Sequence, residues 1–121
     1  MTAFRSILAM MTLLTLLGAP ANAFAHSKLL SESPAADSRV ESTLTELRLQ
    51  FSEGLEIAFT RITITGPVKV ETGAPALDPT DDALLIVPIL KPMGAGRCTV
   101  TWRVVSKDGH ASEGTYSFST K

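Results

Sequence analysis

The sequence predicts an all-β protein, a small antiparallel, immunoglobulin-like β-sandwich of about seven strands. Apolar and polar residues alternate in short runs, which is the two-residue period of a half-buried strand. Turn-forming residues separate these runs at intervals of roughly 8–12 residues, a spacing typical of sandwiches. The cysteine and tryptophan spacing of antibody domains is missing, so we expect a variant topology.

The individual strands follow from this alternation. The run 55–65 changes phase near Thr60, which predicts a bulge, and Pro88 marks a strand end because proline cannot donate to a ladder. Cys98 shares the apolar face of its strand with Trp102, so we expect its thiol to be buried and inert. The strands are predicted at 44–51, 55–65, 68–71, 83–89, 98–105 and 115–120.

Residues 1–25 have the features of a secretory signal peptide. Arg5 precedes an apolar run at 7–17, and small residues at 23–25 form a cleavage signature. The apolar run is shorter than the roughly 20 residues that span a bilayer. We therefore expect export and cleavage, which leaves one domain at 26–121.

The composition limits the partners of this domain. The whole chain carries a formal net charge of −1 at pH 7, and loss of Arg5 makes the remainder more acidic. We therefore expect no nucleic-acid partner and no polybasic membrane contact. No second apolar stretch is long enough to cross a membrane, and the single cysteine excludes an internal disulfide. A soluble monomer is expected.

Two histidines are the basis of a predicted metal site. Cleavage after Ala25 makes His26 the first residue, with its α-amine beside its imidazole. His110 follows Asp108 by two residues, so an extended chain directs both side chains to the same side. Gly109 between them permits close backbone approach. If the N-terminal strand lies beside this segment, the site gains an amine, two imidazoles and a carboxylate.

This donor set favours Cu(II). Three nitrogens and one oxygen in a plane suit Cu(II), whereas zinc prefers a tetrahedron that often includes thiolates. A cut after Ala23 would place His26 third, where an amine, two amides and an imidazole also suit Cu(II). The opposing interpretation is that Asp108 and Gly109 form an ordinary turn beside an exposed His110.

Several stretches of the chain carry a family resemblance: HSKLL at 26–30, SPA at 33–35, LQFSE at 49–53, WRVVSKDGH at 102–110, Gly114 and YSFSTK at 116–121. On these stretches the chain resembles the CopC family of periplasmic copper-binding proteins. The resemblance implies a Greek-key β-sandwich in the periplasm that binds one Cu(II) per chain. Its metal ligands would be His26, Asp108 and His110, and Glu53 is a candidate for a weak ligand or for a residue that supports the ligands.

The resemblance also implies a role in copper homeostasis and resistance. The protein would sequester Cu(II) or deliver it to an inner-membrane transporter of the CopD type. Some family members carry a methionine-rich loop that binds Cu(I). Here the corresponding loop, 66–75, has no methionine or histidine, and Met93 is the one methionine after residue 25. One thioether cannot form a soft Cu(I) site, so a member that binds only Cu(II) is expected.

Two other functional classes stay open. Copper oxygenases that act on polysaccharides also use an N-terminal histidine on a β-sandwich. Residues 26–121 leave little room for a substrate surface, however, and Asp108 would occupy a position that a catalytic metal keeps open. We therefore expect no enzymatic activity. The other class is a structural sandwich without metal. Ser106 is interpreted as a strand-end residue and not as a nucleophile.

Export and metal binding can be tested together by mass. Native mass spectrometry of the exported protein with one equivalent of Cu(II) is expected to show a chain that begins at His26 and holds one copper ion. The physical reason is that the amine and imidazole of a first-position histidine chelate together. A chain that begins elsewhere, or that stays metal-free, would contradict this expectation.

Overall fold

Eight strands and one short 3-10 helix make up residues 27–121, the part of the chain that the computed structural model describes. The strands are β1 Leu29–Ser33, β2 Arg39–Val40, β3 Glu46–Phe51, β4 Arg61–Thr65, β5 Ala76–Asp78, β6 Asp81–Pro88, β7 Gly96–Val105 and β8 Ala111–Thr120. The 3-10 helix, Ile57–Phe59, lies between β3 and β4. The predicted signal peptide, 1–25, and His26 lie outside the described residues. Within 27–121, no helix has the length and apolar character needed to cross a membrane.

The strands form two four-stranded sheets with the orders β1-β3-β6-β5 and β2-β8-β7-β4. Neighbouring strands are antiparallel except for β2 and β8, which are parallel. The predicted antiparallel β-sandwich is therefore confirmed, with eight strands where about seven were expected.

One hydrophobic core fills the space between the two sheets. Its buried residues are Leu47, Leu49, Phe51, Leu55, Leu85, Val87, Ile89, Met93, Cys98, Val100, Trp102, Val104 and Phe118. Most of them alternate along β3, β6 and β7, because successive side chains of a strand point to opposite faces. Cys98 is fully buried, as the sequence predicts, and this burial raises the pKa of its thiol.

Two of the predicted strands are wrong. The run 55–65 is not one bulged strand, because the 3-10 helix interrupts it before β4 begins. Leu55 is buried, whereas Ile57 and Phe59 are exposed. The helix therefore accounts for the change of phase in the alternation of apolar and polar residues near Thr60. The predicted strand at 68–71 is a loop, in which Val68 is half exposed while Val70 packs against the core.

Three short strands are absent from the sequence prediction. β2 has two residues and β5 has three, which is too short for a two-residue period to be visible. β1 has five residues, but its pairing with β3 shifts register between Leu29 and Ser31. That irregularity breaks the alternation of apolar and polar residues.

The β7–β8 hairpin is the longest paired element. Ten residue pairs are in register, from Gly96 with Thr120 to Val105 with Ala111. In the middle, Trp102 of β7 lies opposite Gly114 of β8. The indole of Trp102 also contacts Phe51 of β3 edge to face, with ring centroids 5.1 Å apart. This contact packs the hairpin against the other sheet.

Gly114→Ala is expected to destabilise the protein by about 1–3 kcal/mol, the usual cost of an overpacked core. A Cβ at position 114 would lie 2.4 Å from the Trp102 ring, so the indole must move. Urea unfolding followed by Trp102 fluorescence measures the change. Glu113→Ala, one residue earlier and exposed, is the control and should change stability by less than about 0.5 kcal/mol. Equal stability of the two variants would contradict the close packing.

Candidate metal site

The turn between β7 and β8 carries Asp108 and His110. The Ser106 N–H donates to the His110 carbonyl at 2.9 Å, and the Gly109 N–H donates to the Ser106 carbonyl at 2.8 Å. Gly109 has a φ of +88°, in the left-handed region that favours glycine. These bonds and this backbone conformation close a tight turn, which brings the side chains of Asp108 and His110 together. We call residues 106–110 the site turn.

The Asp108 carboxylate is the centre of the site turn. Its Oδ1 accepts hydrogen bonds from the Ser106 hydroxyl and from the His110 backbone N–H (3.3 Å), and it lies 3.2 Å from the ring Nδ1 of His110. Every hydrogen bond from residues 27–121 to this carboxylate ends on Oδ1. Oδ2 is therefore the carboxylate oxygen suited to bind a metal ion, beside the imidazole of His110.

Solvent reaches both of these side chains. The His110 side chain is 53% exposed and the Asp108 side chain 39%. The hydrogen bond from Ser106, more than any other contact, holds the pKa of Asp108 below its ordinary value of 3.8; the contacts with His110 act in the same direction, and desolvation opposes them. Asp108 is consequently an ionised oxygen donor at neutral pH, beside an accessible imidazole.

The residue between Ser106 and Asp108 fixes the site turn to the other sheet. The Lys107 N–H donates to the Gly54 carbonyl at 3.0 Å, and its ammonium group pairs with the carboxylate of Asp82 in β6. This pairing raises the pKa of Lys107. Asp82 packs closely on Gly54, where a Cβ would lie 2.7 Å from the carboxylate. Both sheets therefore hold the turn.

The beginning of the described chain is fastened beside the same turn. The Ser27 carbonyl accepts a hydrogen bond of 2.7 Å from the Ser112 hydroxyl, and Ser27 is only 2% exposed. The Lys28 N–H donates to Ser52 Oγ (2.8 Å), and the Lys28 carbonyl accepts the Ser52 N–H (2.9 Å). β1 itself pairs with β3. The chain just before β1 nevertheless meets β8 two residues after His110.

Glu53 lies in a segment that packs beside the site turn. Its neighbour Gly54 accepts a hydrogen bond from Lys107 of the turn, and its other neighbour, Ser52, bonds to Lys28. Within 27–121, however, no three His, Cys, Asp or Glu side chains lie close enough together to hold a metal ion. Glu53 thus forms no three-ligand group with the pair in the turn, and its supporting role stays a prediction. That pair supplies two donors, and the predicted third ligand, His26, lies outside the described residues.

Residues 29–121 match the family model of the CopC domain. The chain belongs to the CopC family. Protein YobA from Escherichia coli (strain K12) is 39% identical over 100 residues, which are 81% of each chain. Copper resistance protein C from Xanthomonas campestris pv. juglandis is 35% identical over 128 residues, which cover 100% of both chains.

The CopC assignment extends to solved structures. The crystal structure of PcoC, a methionine-rich copper resistance protein from Escherichia coli, matches with a TM-score of 0.70 and 32% sequence identity. The match covers 80% of this chain and 100% of PcoC. The family and the β-sandwich that the sequence predicts are thereby confirmed.

A domain similar to this CopC chain also occurs within a longer protein. Copper transport protein CutJ from Bacillus subtilis (strain 168) is 27% identical over 109 residues. These residues cover 88% of this chain but only 20% of CutJ. In CutJ, a sequence similar to this chain is therefore one part of a much longer copper transport protein.

No role in the site turn is predicted from the sequence for the three serines that organise it in this CopC protein. Ser106 is the one that a local pattern could have revealed, because a serine two residues from an aspartate often bonds within its own turn. It is fully buried, and its hydroxyl bonds to Asp108. Ser52 and Ser112 act on a segment that is distant in sequence, so no local pattern identifies them.

The lowered pKa of Asp108 predicts how the stability of the fold changes with pH. A carboxylate with a depressed folded-state pKa stabilises the fold above its unfolded value of about 3.8 and loses this contribution as pH falls through the folded value. Urea unfolding of the metal-free protein and of Asp108→Asn is expected to show a difference at pH 7 that shrinks below pH 3.8. A difference that stays constant down to pH 2 would show that Asp108 has no such role.

Proposed function

We propose that this protein is a periplasmic Cu(II)-binding protein that sequesters the ion or delivers it to an inner-membrane transporter of the CopD type. One ion binds per chain, to the α-amine and imidazole of His26, the carboxylate of Asp108 and the imidazole of His110. The protein acts as a monomeric binding protein and not as an enzyme. Membership of the CopC family, and relatives named for copper resistance and copper transport, support this role.

The attachment of Ser27 to Ser112 is the observation that carries the proposal. Ser112 is the second residue of β8 and follows His110 by two positions. Consecutive Cα atoms are about 3.8 Å apart, so the residue before Ser27 is one peptide away from this contact. An amine and an imidazole there would complete three nitrogens and one oxygen with Asp108 and His110. Cu(II) favours such a set in a plane.

The sulfur atoms of the described chain favour Cu(II) over Cu(I). Soft Cu(I) selects thioether and thiolate ligands. Met93 and Cys98 are both fully buried in the core. The loop at 66–75 contains neither methionine nor cysteine, whereas PcoC is described as methionine rich. We therefore propose one Cu(II) site without a Cu(I) companion.

Delivery to a membrane transporter is supported by CutJ and by the exposure of the site. In CutJ a similar domain shares its chain with the rest of a copper transport protein, and proteins that are joined in one organism can act as separate partners in another. The exposed side chains of Asp108 and His110 allow donor groups of a partner to approach a bound ion. The ion could then exchange directly between the two proteins.

The test is Cu(II) affinity at pH 7, measured by competition with a chromogenic chelator on exported protein. His26→Ala and His110→Ala are each expected to weaken binding by more than about 100-fold. Each removes a ligand, and even the loss of a residue that only supports a ligand usually weakens metal binding by about 10- to 100-fold. Asp108→Asn is expected to weaken it as well. Cu(II) electron paramagnetic resonance should report three nitrogens and one oxygen in the unchanged protein.

Glu41→Gln is the matched control. Glu41 is an exposed carboxylate that pairs with Lys121, at the end of β8 remote from the site turn, and its loss should leave Cu(II) affinity unchanged. If His110→Ala binds Cu(II) as tightly as the unchanged protein, the proposed site is wrong. In that case the domain binds copper elsewhere or serves a structural role.

A further inference from the structure

The Ser106 side chain is fully buried at the base of the site turn. Its hydroxyl lies within hydrogen-bond distance of two acceptors, Oδ1 of Asp108 and the carbonyl of His110 at 3.2 Å. The carbonyl already accepts the Ser106 backbone N–H at 2.9 Å. Hydrogen bonds to a charged acceptor are the stronger ones. The bond that the hydroxyl donates to Asp108 is therefore stronger than its contact with the His110 carbonyl.

Closure of the site turn does not depend on this hydroxyl. The backbone of Ser106 forms a bridge with Leu55 and bonds in both directions across the turn, to His110 and to Gly109. An alanine at position 106 would keep all of these backbone contacts. The bond from the hydroxyl to Asp108 is therefore separable from the backbone bonds that close the turn.

The other contacts of the Asp108 carboxylate hold it less firmly. Both come from His110, at 3.2 Å from Nδ1 and 3.3 Å from the backbone N–H, which is at or beyond the usual upper range for such bonds. The side chain is 39% exposed, so little packing restricts its rotation. Ser106 is accordingly the group that selects one orientation of the carboxylate.

We propose that Ser106 is a positioning residue of the metal site: its buried hydroxyl holds Oδ1 of Asp108, so that Oδ2 is the oxygen presented to the ion. This inference rests on the proposed function, because it requires Asp108 to be a Cu(II) ligand. Residues behind a metal ligand fix its orientation, and their loss usually weakens binding by about 10- to 100-fold. Ser106 has that relation to Asp108.

A double-mutant cycle tests the proposal, with Cu(II) affinity measured for Ser106→Ala, Asp108→Ala and the double variant. Ser106→Ala is expected to weaken binding by about 10-fold or more in the unchanged background. It should have no further effect when Asp108 is already alanine, because the hydroxyl acts only through that carboxylate. The Cu(II) electron paramagnetic resonance spectrum of Ser106→Ala should also change. A purely structural role would leave the coordination sphere of the bound ion unaltered.

Two further variants keep the test decisive. Ser117→Ala removes a hydroxyl from the same hairpin, one that pairs with Thr99 at 3.0 Å, and should not affect binding. Ser106→Thr keeps a hydroxyl donor at the same position and should bind Cu(II) nearly as tightly as the unchanged protein; an affinity as low as that of Ser106→Ala would overturn the positioning role.

The outcomes separate this inference from the proposed function. If Asp108→Ala weakens binding but Ser106→Ala does not, the positioning role is wrong while the proposed ligands stand. An equal loss from Ser106→Ala in both backgrounds also overturns it, because the serine then acts on the fold. If Asp108→Ala itself leaves Cu(II) affinity unchanged, the proposed ligand set fails, and the role of Ser106 fails with it.

Discussion

The register between β7 and β8 is the constraint on which the site depends. A slip of one residue would turn every side chain of the hairpin to the opposite face of the sheet. Gly114 disfavours such a slip, because a residue with a Cβ in its place would displace the Trp102 ring. In this register the hairpin ends at Val105 and Ala111, and the site turn between them brings Asp108 and His110 together.

The site turn also joins the two layers of the sandwich. Lys107 reaches β6 through Asp82 and the end of β3 through Gly54, while Ser112 holds the segment that leads into β1. The position of the site turn against Gly54, Asp82 and Ser27 therefore depends on the packing of both sheets. Any ligand that binds this arrangement, and not the unfolded chain, stabilises the whole domain by mass action. Folding and binding are linked at this edge of the molecule.

The sequence predicts the sandwich because β3, β6, β7 and β8 alternate clearly between core and solvent. It fails where the structure leaves that period: the 3-10 helix at Ile57–Phe59, the loop at 68–71, and strands of two or three residues. The sequence also predicts that Asp108 and His110 meet, which is right, but the extended chain on which this prediction rests is wrong, because residues 107–109 form a turn in which Gly109 has a φ of +88°. Ser52 and Ser112 are different, since their partners are set by tertiary packing. A hydroxyl has no sequence pattern of its own for such a contact.

Cys98 illustrates what the tight core means for a protein proposed to handle a redox-active metal. Its thiol is fully buried and lies near Gly66, where a Cβ would be 3.3 Å from the sulfur. A thiol binds copper or forms a disulfide most readily as an exposed thiolate. Burial, together with the raised pKa that disfavours the thiolate, keeps this sulfur from direct contact with an ion at the surface and with the cysteine of another copy. The only cysteine of the chain is thus shielded in the folded domain.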